Sequence, residues 1–301
     1  SGIMLTGWQN IGNFRYYFAD GGAMLTGWQN INGATYYFNT GGNMQTHWLT
    51  LEGVRYYFGA DGVMQTGWVT IDDTKYLFDQ KGKCVEGAHS FVIDVSRFQG
   101  EIDWDKVMQS GVDAVILRSS SAGLTLENYA NAKDKKFDQY VESLNQLGVP
   151  YGIYHYNTAE TVELAEIQAN IVVKILKEAG ADPTLPVFVD IESNGGKCDL
   201  VAIAKVYMSV FISNGYKPGI YANENYWNNY LNAPELNAYY KWIASYGEND
   251  GKPSASFAQK DELESYVIWQ YTSKGELPGI DENTVDFNAL FDRYVKTNGW
   301  V

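Results

Sequence analysis

The sequence predicts an α/β protein in two parts, an all-β hairpin-repeat solenoid followed by an irregular β/α barrel. Three observations predict it. Trp8, Trp28, Trp48 and Trp68 recur every 20 residues, in step with a Tyr-rich triplet, and such periods mark repeat architectures. From Phe91 onward, short apolar runs alternate with amphipathic stretches, the pattern of a sheet covered on its outside by helices. The 301 residues are 45% hydrophobic and 15% aromatic, enough apolar surface to fill a core in each part and to exclude disorder.

In the first part, residues 1–87, four units each read as a hairpin. A strand follows each Trp, and a tight turn falls at Gly12-Asn13, Asn32-Gly33, Glu52-Gly53 or Asp72-Asp73. The return strand carries Tyr16-Tyr17-Phe18, Tyr36-Tyr37-Phe38, Tyr56-Tyr57-Phe58 or Tyr76-Leu77-Phe78. One hairpin is marginal in water, so the units must stack and share aromatics. Met4, Met24, Met44 and Met64 keep the same period, and Cys84 takes the next slot as a small hydrophobe. The start SGIMLTGW matches the middle of GGAMLTGW, so residue 1 falls inside a repeat and the chain reads as truncated at its N-terminus. By strand alternation Tyr17, Tyr37 and Tyr57 point away from Phe18, Phe38 and Phe58. With Trp8, Trp28, Trp48 and Trp68 they form either a ligand face or hairpin packing.

The second part, residues 88–301, holds eight candidate strands: FVIDV, DAVILR, YGIYHY, PVFVDI, PGIYA, WIASY, YVIWQY and TVDFN. Amphipathic stretches at 134–147, 160–179 and 199–213 end at Gly148, Gly180 and Gly215. Near-continuous apolar strands alternating with helices predict a parallel, TIM-like barrel, although the later connections are short for full helices. Such barrels carry their chemistry at the C-terminal ends of strands. Carboxylates stand there: Asp94 after Phe91-Val92-Ile93, Asp190 and Glu192 closing PVFVDIE, and Asp286 in TVDFN. Two strand rises put Asp190 and Glu192 on one face roughly 6.6 Å apart. A solvated strand end or a calcium site would use the same residue types.

Aromatic residues at the same mouth offer a platform for a sugar: Tyr154, Tyr156, Tyr221, Trp242, Trp269 and Tyr271. Alternation must turn about half of them into core. Arg118, ending the second strand, is placed to hold a carboxylate of the substrate or of the groove. His155 alternates away from Tyr154 and Tyr156 and reads as a buried, hydrogen-bonded residue. The run Lys133 to Lys136 reads as a solvated helix start.

Net charge is −14, which argues against nucleic-acid binding. No stretch approaches the roughly 18 apolar residues of a membrane helix. Three His, two Cys and no HExxH motif leave little for a zinc site, and no metal or other cofactor is expected.

The pattern TGWxxIxGxxYYFxxxGxM over residues 1–87 resembles the cell-wall-binding repeats of surface and phage-lytic proteins, including choline-binding modules. It equally resembles the carbohydrate-binding repeats of clostridial toxins and glucan-binding proteins. The resemblance implies a wall polysaccharide or teichoic acid as partner. Choline-binding repeats usually carry a second Trp just before the Tyr pair; here Arg15, Thr35, Arg55 and Lys75 stand there. Three cations in place of an aromatic wall point away from choline.

DVSRFQGEIDW (94–104), VDIE (189–192), GIYANENYW (219–227), WIASY (242–246) and WQYTSKGELPGI…VDFN (269–288) together resemble glycoside hydrolase family 25. The resemblance spans essentially all of residues 91–301. It implies a secreted, wall-associated retaining muramidase acting on bacterial peptidoglycan. Glu192 matches the general acid, and Asp94, Asp190 and Asp286 match the other acidic residues of its groove. The nucleophile is one of these Asp residues or the substrate's own 2-acetamido group. The charges of the neighbouring Asp residues are expected to raise the Glu192 pKa. An adhesin with an inactive barrel is the alternative from another class. A Cys-His hydrolase would need Cys198 beside His155.

Overall fold

Two-residue turns, Gly-containing in the first three units and Asp72-Asp73 in the fourth, and alternating aromatic strands build four antiparallel hairpins. They are β1 (Gly7–Ile11) with β2 (Phe14–Phe18), β3 (Gly27–Ile31) with β4 (Ala34–Phe38), β5 (His47–Leu51) with β6 (Val54–Phe58), and β7 (Gly67–Ile71) with β8 (Thr74–Phe78). The computed structural model describes residues 4–121, 123–257, 265–291 and 294. The chain divides into two compact units, Ser1–Glu86 and Gly87–Val301.

Hairpins join because each lacks a core of its own. The Trp8 ring lies 5.1 Å from Tyr17 of its own hairpin, and 4.9 and 5.9 Å from Tyr36 and Phe38 of the next. Trp28 and Trp48 repeat this arrangement one and two units on. Phe38, Phe58 and Phe78 are fully buried as a result. Backbone bonds follow the same step: Met44, Met64 and Cys84 donate N–H to the carbonyls of Arg15, Thr35 and Arg55. Met24, Met44 and Met64 lie against Gly42, Gly62 and Gly82, where a Cβ would overlap the thioether and where φ is positive. Cys84 continues the series, pairing with Phe78 as Met64 pairs with Phe58. It is half-buried and free, as is Cys198, and burial pushes its thiol up to about 12.

In the second unit eight strands close a barrel: β9 (Ala88–Val95), β10 (Ala114–Ser120), β11 (Tyr151–Tyr156), β12 (Val187–Asp190), β13 (Pro218–Asn223), β14 (Tyr240–Ala244), β15 (Ile268–Leu277) and β16 (Ile280–Phe291). All eight apolar runs are strands. The expected all-parallel sheet needs one correction: β9 to β15 run parallel, but β16 is antiparallel to both β15 and β9. The cause is the tight turn at Pro278-Gly279, with Gly279 at φ 94°. A hairpin leaves no length for the crossover that a parallel return requires.

Helices α1 (Trp104–Gln109), α2 (Tyr129–Ala132), α3 (Phe137–Leu147), α4 (Val162–Glu178), α5 (Leu200–Ser213) and α6 (Glu224–Asn229) fill the connections. Thr161 and Asp199 cap α4 and α5 by accepting N–H bonds from Leu164 and Ala202. Gly148 ends α3 in the left-handed conformation. After α5 the connection between β13 and β14 holds the short α6, and β15 joins β16 through two residues. The barrel interior is filled by Val92, Ile116, Phe188, Trp242, Ile268 and Leu290. Among the described residues no helix is long and apolar enough to cross a membrane.

Candidate active site

A pocket of about 210 Å³ opens at the C-terminal ends of the parallel strands, and all four carboxylates line it. Asp94 comes from β9, Asp190 from the last residue of β12, Glu192 from just beyond it, and Asp286 from β16. Because β16 runs antiparallel, its N-terminal half reaches this mouth, and Asp286 pairs in register with Asp94.

Asp94 is buried, and its Oδ2 accepts hydrogen bonds from Gln270 Nε2 at 2.7 Å and Asn288 Nδ2 at 2.9 Å. Both amides are held in that sense. Tyr221 and Tyr246 donate their hydroxyls to Gln270 Oε1 at 2.8 and 2.5 Å. The Trp242 indole donates to Asn288 Oδ1 at 2.8 Å. Oxygens so occupied leave the two amide NH₂ groups to face the carboxylate.

Burial pushes Asp286 up to about 9, helped by the Asp94 charge and by the hydrogen bond between the two carboxyls. Asp94 rises less, to about 6, because the amides and Asp286 stabilise its charge against burial. At neutral pH Asp286 therefore holds a proton and donates it to Asp94. Asp190 is pushed well above the usual range by burial and then by the charges of Glu192 and Asp94. Among the described residues its buried Oδ1 has no hydrogen-bond partner.

Glu192 accepts from Asn223 Nδ2 at 2.8 Å. Asn223 cannot swing freely, because its Oδ1 caps α6 at Tyr226 N–H. The Glu192 pKa is raised, as expected, but the cause differs: burial raises it and the Asn223 bonds oppose the rise. A raised carboxyl in a pocket beside three others suits general acid chemistry.

A sequence model of glycosyl hydrolases family 25 matches residues 93–280. The chain belongs to glycosyl hydrolases family 25. A choline-binding repeat model matches residues 5–44, 25–66 and 46–87. The "Uncharacterized protein YegX" of Escherichia coli O157:H7 is 27% identical over 205 residues, 66% of this chain and 68% of that protein. The "Autolytic lysozyme" of Clostridium acetobutylicum is 25% identical over 191 residues, 62% of this chain and 52% of that enzyme. The solved modular autolysin LytC from Streptococcus pneumoniae aligns with a TM-score of 0.63 and 25% identity, over 95% of this chain and 81% of that one.

Within this family 25 barrel, Tyr154, Tyr156, Tyr221 and Trp242 line the pocket. Trp269 and Tyr271 do not. They point outward from β15, where Trp269 is fully buried against Phe257 and donates to Ser245 O, and Tyr271 packs on Trp269 and Phe287. Period 2 turns Gln270 inward between them. Arg118 holds neither a groove carboxylate nor open space for a substrate one: it grips Asp134 through Nε at 2.8 Å and Nη2 at 2.7 Å. Asp134 is buried there and also accepts from Arg97 N–H, so the run Lys133 to Lys136 is anchored at its centre rather than solvated. His155 is buried, with Ser120 at one ring nitrogen and Gln168 and Tyr207 at the other. Burial pushes its imidazole down to about 4, and neither nitrogen is available to Cys198.

Four residues of this pocket or its support escaped the sequence reading: Asn223, Tyr246, Gln270 and Asn288. Each lies inside a quoted motif. Asn288 shares the Asp286 face by period 2, and that spacing is the signal that could have found it.

The Asp286 proton makes stability pH-dependent. Its folded pKa stands above the unfolded value, so its favourable contribution is full below about pH 4 and is lost as pH rises toward about 9. Asp286→Asn keeps the hydrogen bond to Asp94 without the ionisation. Thermal unfolding is expected to give equal midpoints for variant and parent near pH 4 and a variant higher by several degrees at pH 8. A constant difference across that range would contradict a proton held at Asp286.

Proposed function

We propose that this barrel hydrolyses the β-1,4 bond between N-acetylmuramic acid and N-acetylglucosamine in peptidoglycan, with retention of configuration. The observation that carries the reading is Glu192, fixed by Asn223 and raised by burial, in a pocket with Asp94, Asp190 and Asp286.

Glu192 donates its proton to the glycosidic oxygen as the bond to C1 breaks. Asp94 is saturated by two amides and shares the Asp286 proton, which makes it a poor nucleophile. The 2-acetamido oxygen of the substrate attacks C1 instead, and the unpartnered Asp190 Oδ1 accepts the acetamido N–H. Glu192, now a carboxylate, removes a proton from water as that water attacks C1 and reopens the ring. Two inversions give net retention. Tyr154 and Tyr156, the half-buried aromatics of the pocket, form the walls against which the sugar rings lie, while Tyr221 and Trp242 are buried in the core beside them.

The repeats hold the enzyme at its polymer, through a teichoic acid or wall polysaccharide, so the protein works outside the cell at the wall. Stacking on single aromatic corners is weak, and repetition multiplies it.

Mass spectrometry of muropeptides released from purified walls tests the assignment. Products ending in reducing N-acetylmuramic acid are expected, with the β-anomer appearing first by NMR. Products ending in reducing N-acetylglucosamine, or no release at all, would overturn it.

A further inference from the structure

The rim beside Asp94 carries an aromatic side chain that the hydrolytic steps do not use. Arg97–Gln99 form one 3₁₀ turn just beyond β9, closed by a capping box between Ser96 and Gln99. The turn is also tied to β16: Gln99 Nε2 donates to Thr284 O and Asn283 Nδ2 donates to Phe98 O, both at 2.9 Å. The backbone under Phe98 is therefore fixed, yet 54% of the residue is exposed.

Two guanidiniums border this ring, Arg118 at 4.9 Å and Arg97 at 5.1 Å from its centroid. Arg118 pairs in register with Tyr154, whose side chain lines the catalytic pocket. Its charge also opposes the rise of the Asp190 pKa, as a neighbour of the pocket must. Phe98 thus lies at the rim, with Arg118 between it and the pocket wall.

The two cations are differently employed. Arg118 is spent on the buried Asp134, 2.7 Å away. Arg97 gives Asp134 only its backbone N–H, and among the described residues no carboxylate pairs with its guanidinium. Glu101, in the same loop, is taken by Lys136 and Gln139. Single exposed aromatic residues are common. What sets Phe98 apart is its fixed backbone and an uncompensated cation beside it, in a chain of net charge −14.

We propose that Phe98 and Arg97 form a subsite for the peptide branch of the glycan, the ring taking small aliphatic side chains and the guanidinium a free carboxylate. The inference rests on reading the barrel as a muramidase and names what the enzyme contacts beyond the sugars. Each muramic acid of a wall strand carries a short peptide with both features. An exposed ring offers apolar area at low entropic cost, and the guanidinium fork matches a carboxylate.

The test compares three forms of one glycan: strands with their peptides, strands whose peptide carboxylates are converted to amides, and strands stripped of peptide by an amidase. For the intact parent chain, KM is expected to rise about 5-fold from the first form to the second, the upper range for a part-exposed ion pair. Arg97→Gln should raise KM on the first form by that factor and remove the difference between the first two. Arg97→Lys should recover part of it. Phe98→Ala should raise KM on both peptide-bearing forms and leave the stripped form as in the parent. The turnover rate should hold throughout, because no reacting atom is touched. Equal changes on all three forms would assign Arg97 and Phe98 to loop structure, and unchanged KM everywhere would equally overturn the subsite. Titration of the intact chain with a soluble muramoyl peptide, followed at the Arg97 Nε–H by NMR, reads the subsite apart from turnover. A saturable shift in a chain that cleaves none of the three forms would keep the subsite and sink the muramidase reading. No shift, with cleavage intact, would overturn the subsite alone.

Discussion

Glu192→Gln is expected to lower the turnover rate on peptidoglycan by about 100-fold or more, with little change in KM. The amide has the shape of the acid and can still accept from Asn223 Nδ2, so the pocket should keep its form. What it cannot do is give up a proton to the leaving oxygen or take one from water, and both half-reactions stop at the same atom. Stability should be unchanged or slightly improved, because the ionised carboxyl is disfavoured by burial. Reducing ends released per minute from purified walls, beside a thermal unfolding curve, decide the matter. Near-parental turnover would remove Glu192 from the acid role, and a collapsed midpoint would assign it a structural one.

Trp242 should be the most costly aromatic of the pocket to remove. It is 1% exposed and packs edge-on or tilted against Tyr221, Phe188 and Tyr154 at 4.4, 5.2 and 6.1 Å. Trp242→Ala empties that space, and a buried Trp→Ala change costs about 3–5 kcal/mol. Trp242→Phe keeps a ring but removes the indole N–H that holds Asn288 Oδ1. An unpaired buried amide oxygen costs about 1–3 kcal/mol. With that restraint gone, Asn288 is free to turn its oxygen toward Asp94. Denaturant unfolding should rank parent, Phe and Ala in that order. Activity should already fall at Phe, before the barrel weakens appreciably. Full activity of the Phe variant would separate the indole bond from the working of the pocket.

The barrel strands were legible because strands buried on both faces read as continuous apolar runs, and all eight appear where such runs occur. The same property hid which side of each strand faces the pocket. In Ile268-Trp269-Gln270-Tyr271 the aromatic residues look like a sugar platform, yet the inward positions are Ile268 and Gln270, and hydrophobicity alone cannot rank two buried faces. Arg118 was legible as a carboxylate holder but not as the partner of Asp134, because that pairing depends on how the loop after β10 folds back. The carboxylates themselves were easy to find, since charge in an apolar strand end has few bland explanations. Their supporting amides were not, because Asn and Gln are unremarkable on any surface. In the repeats, the period exposed every hairpin and also flagged Arg15, Thr35, Arg55 and Lys75. That Arg15 and Arg55 lie over Trp8 and Trp48, at 4.1 and 4.7 Å from the ring centroids, became visible only in the structure.

The antiparallel last strand has a consequence for the order in which a lytic enzyme can become dangerous. Asp94 lies in the strand that opens the barrel, whereas Asp286 and Asn288 lie in the strand that closes it, and the Asn288–Asp94 bond joins residues 194 apart in sequence. During synthesis the first carboxylate emerges long before its two partners, and contacts of such separation form late. Until β16 is seated, Asp94 lacks an amide and its proton-sharing neighbour, and the groove lacks a wall. On the proposed roles of these residues, the pocket is complete only once β16 is seated, so wall-cutting competence is expected to arrive with completion of the fold.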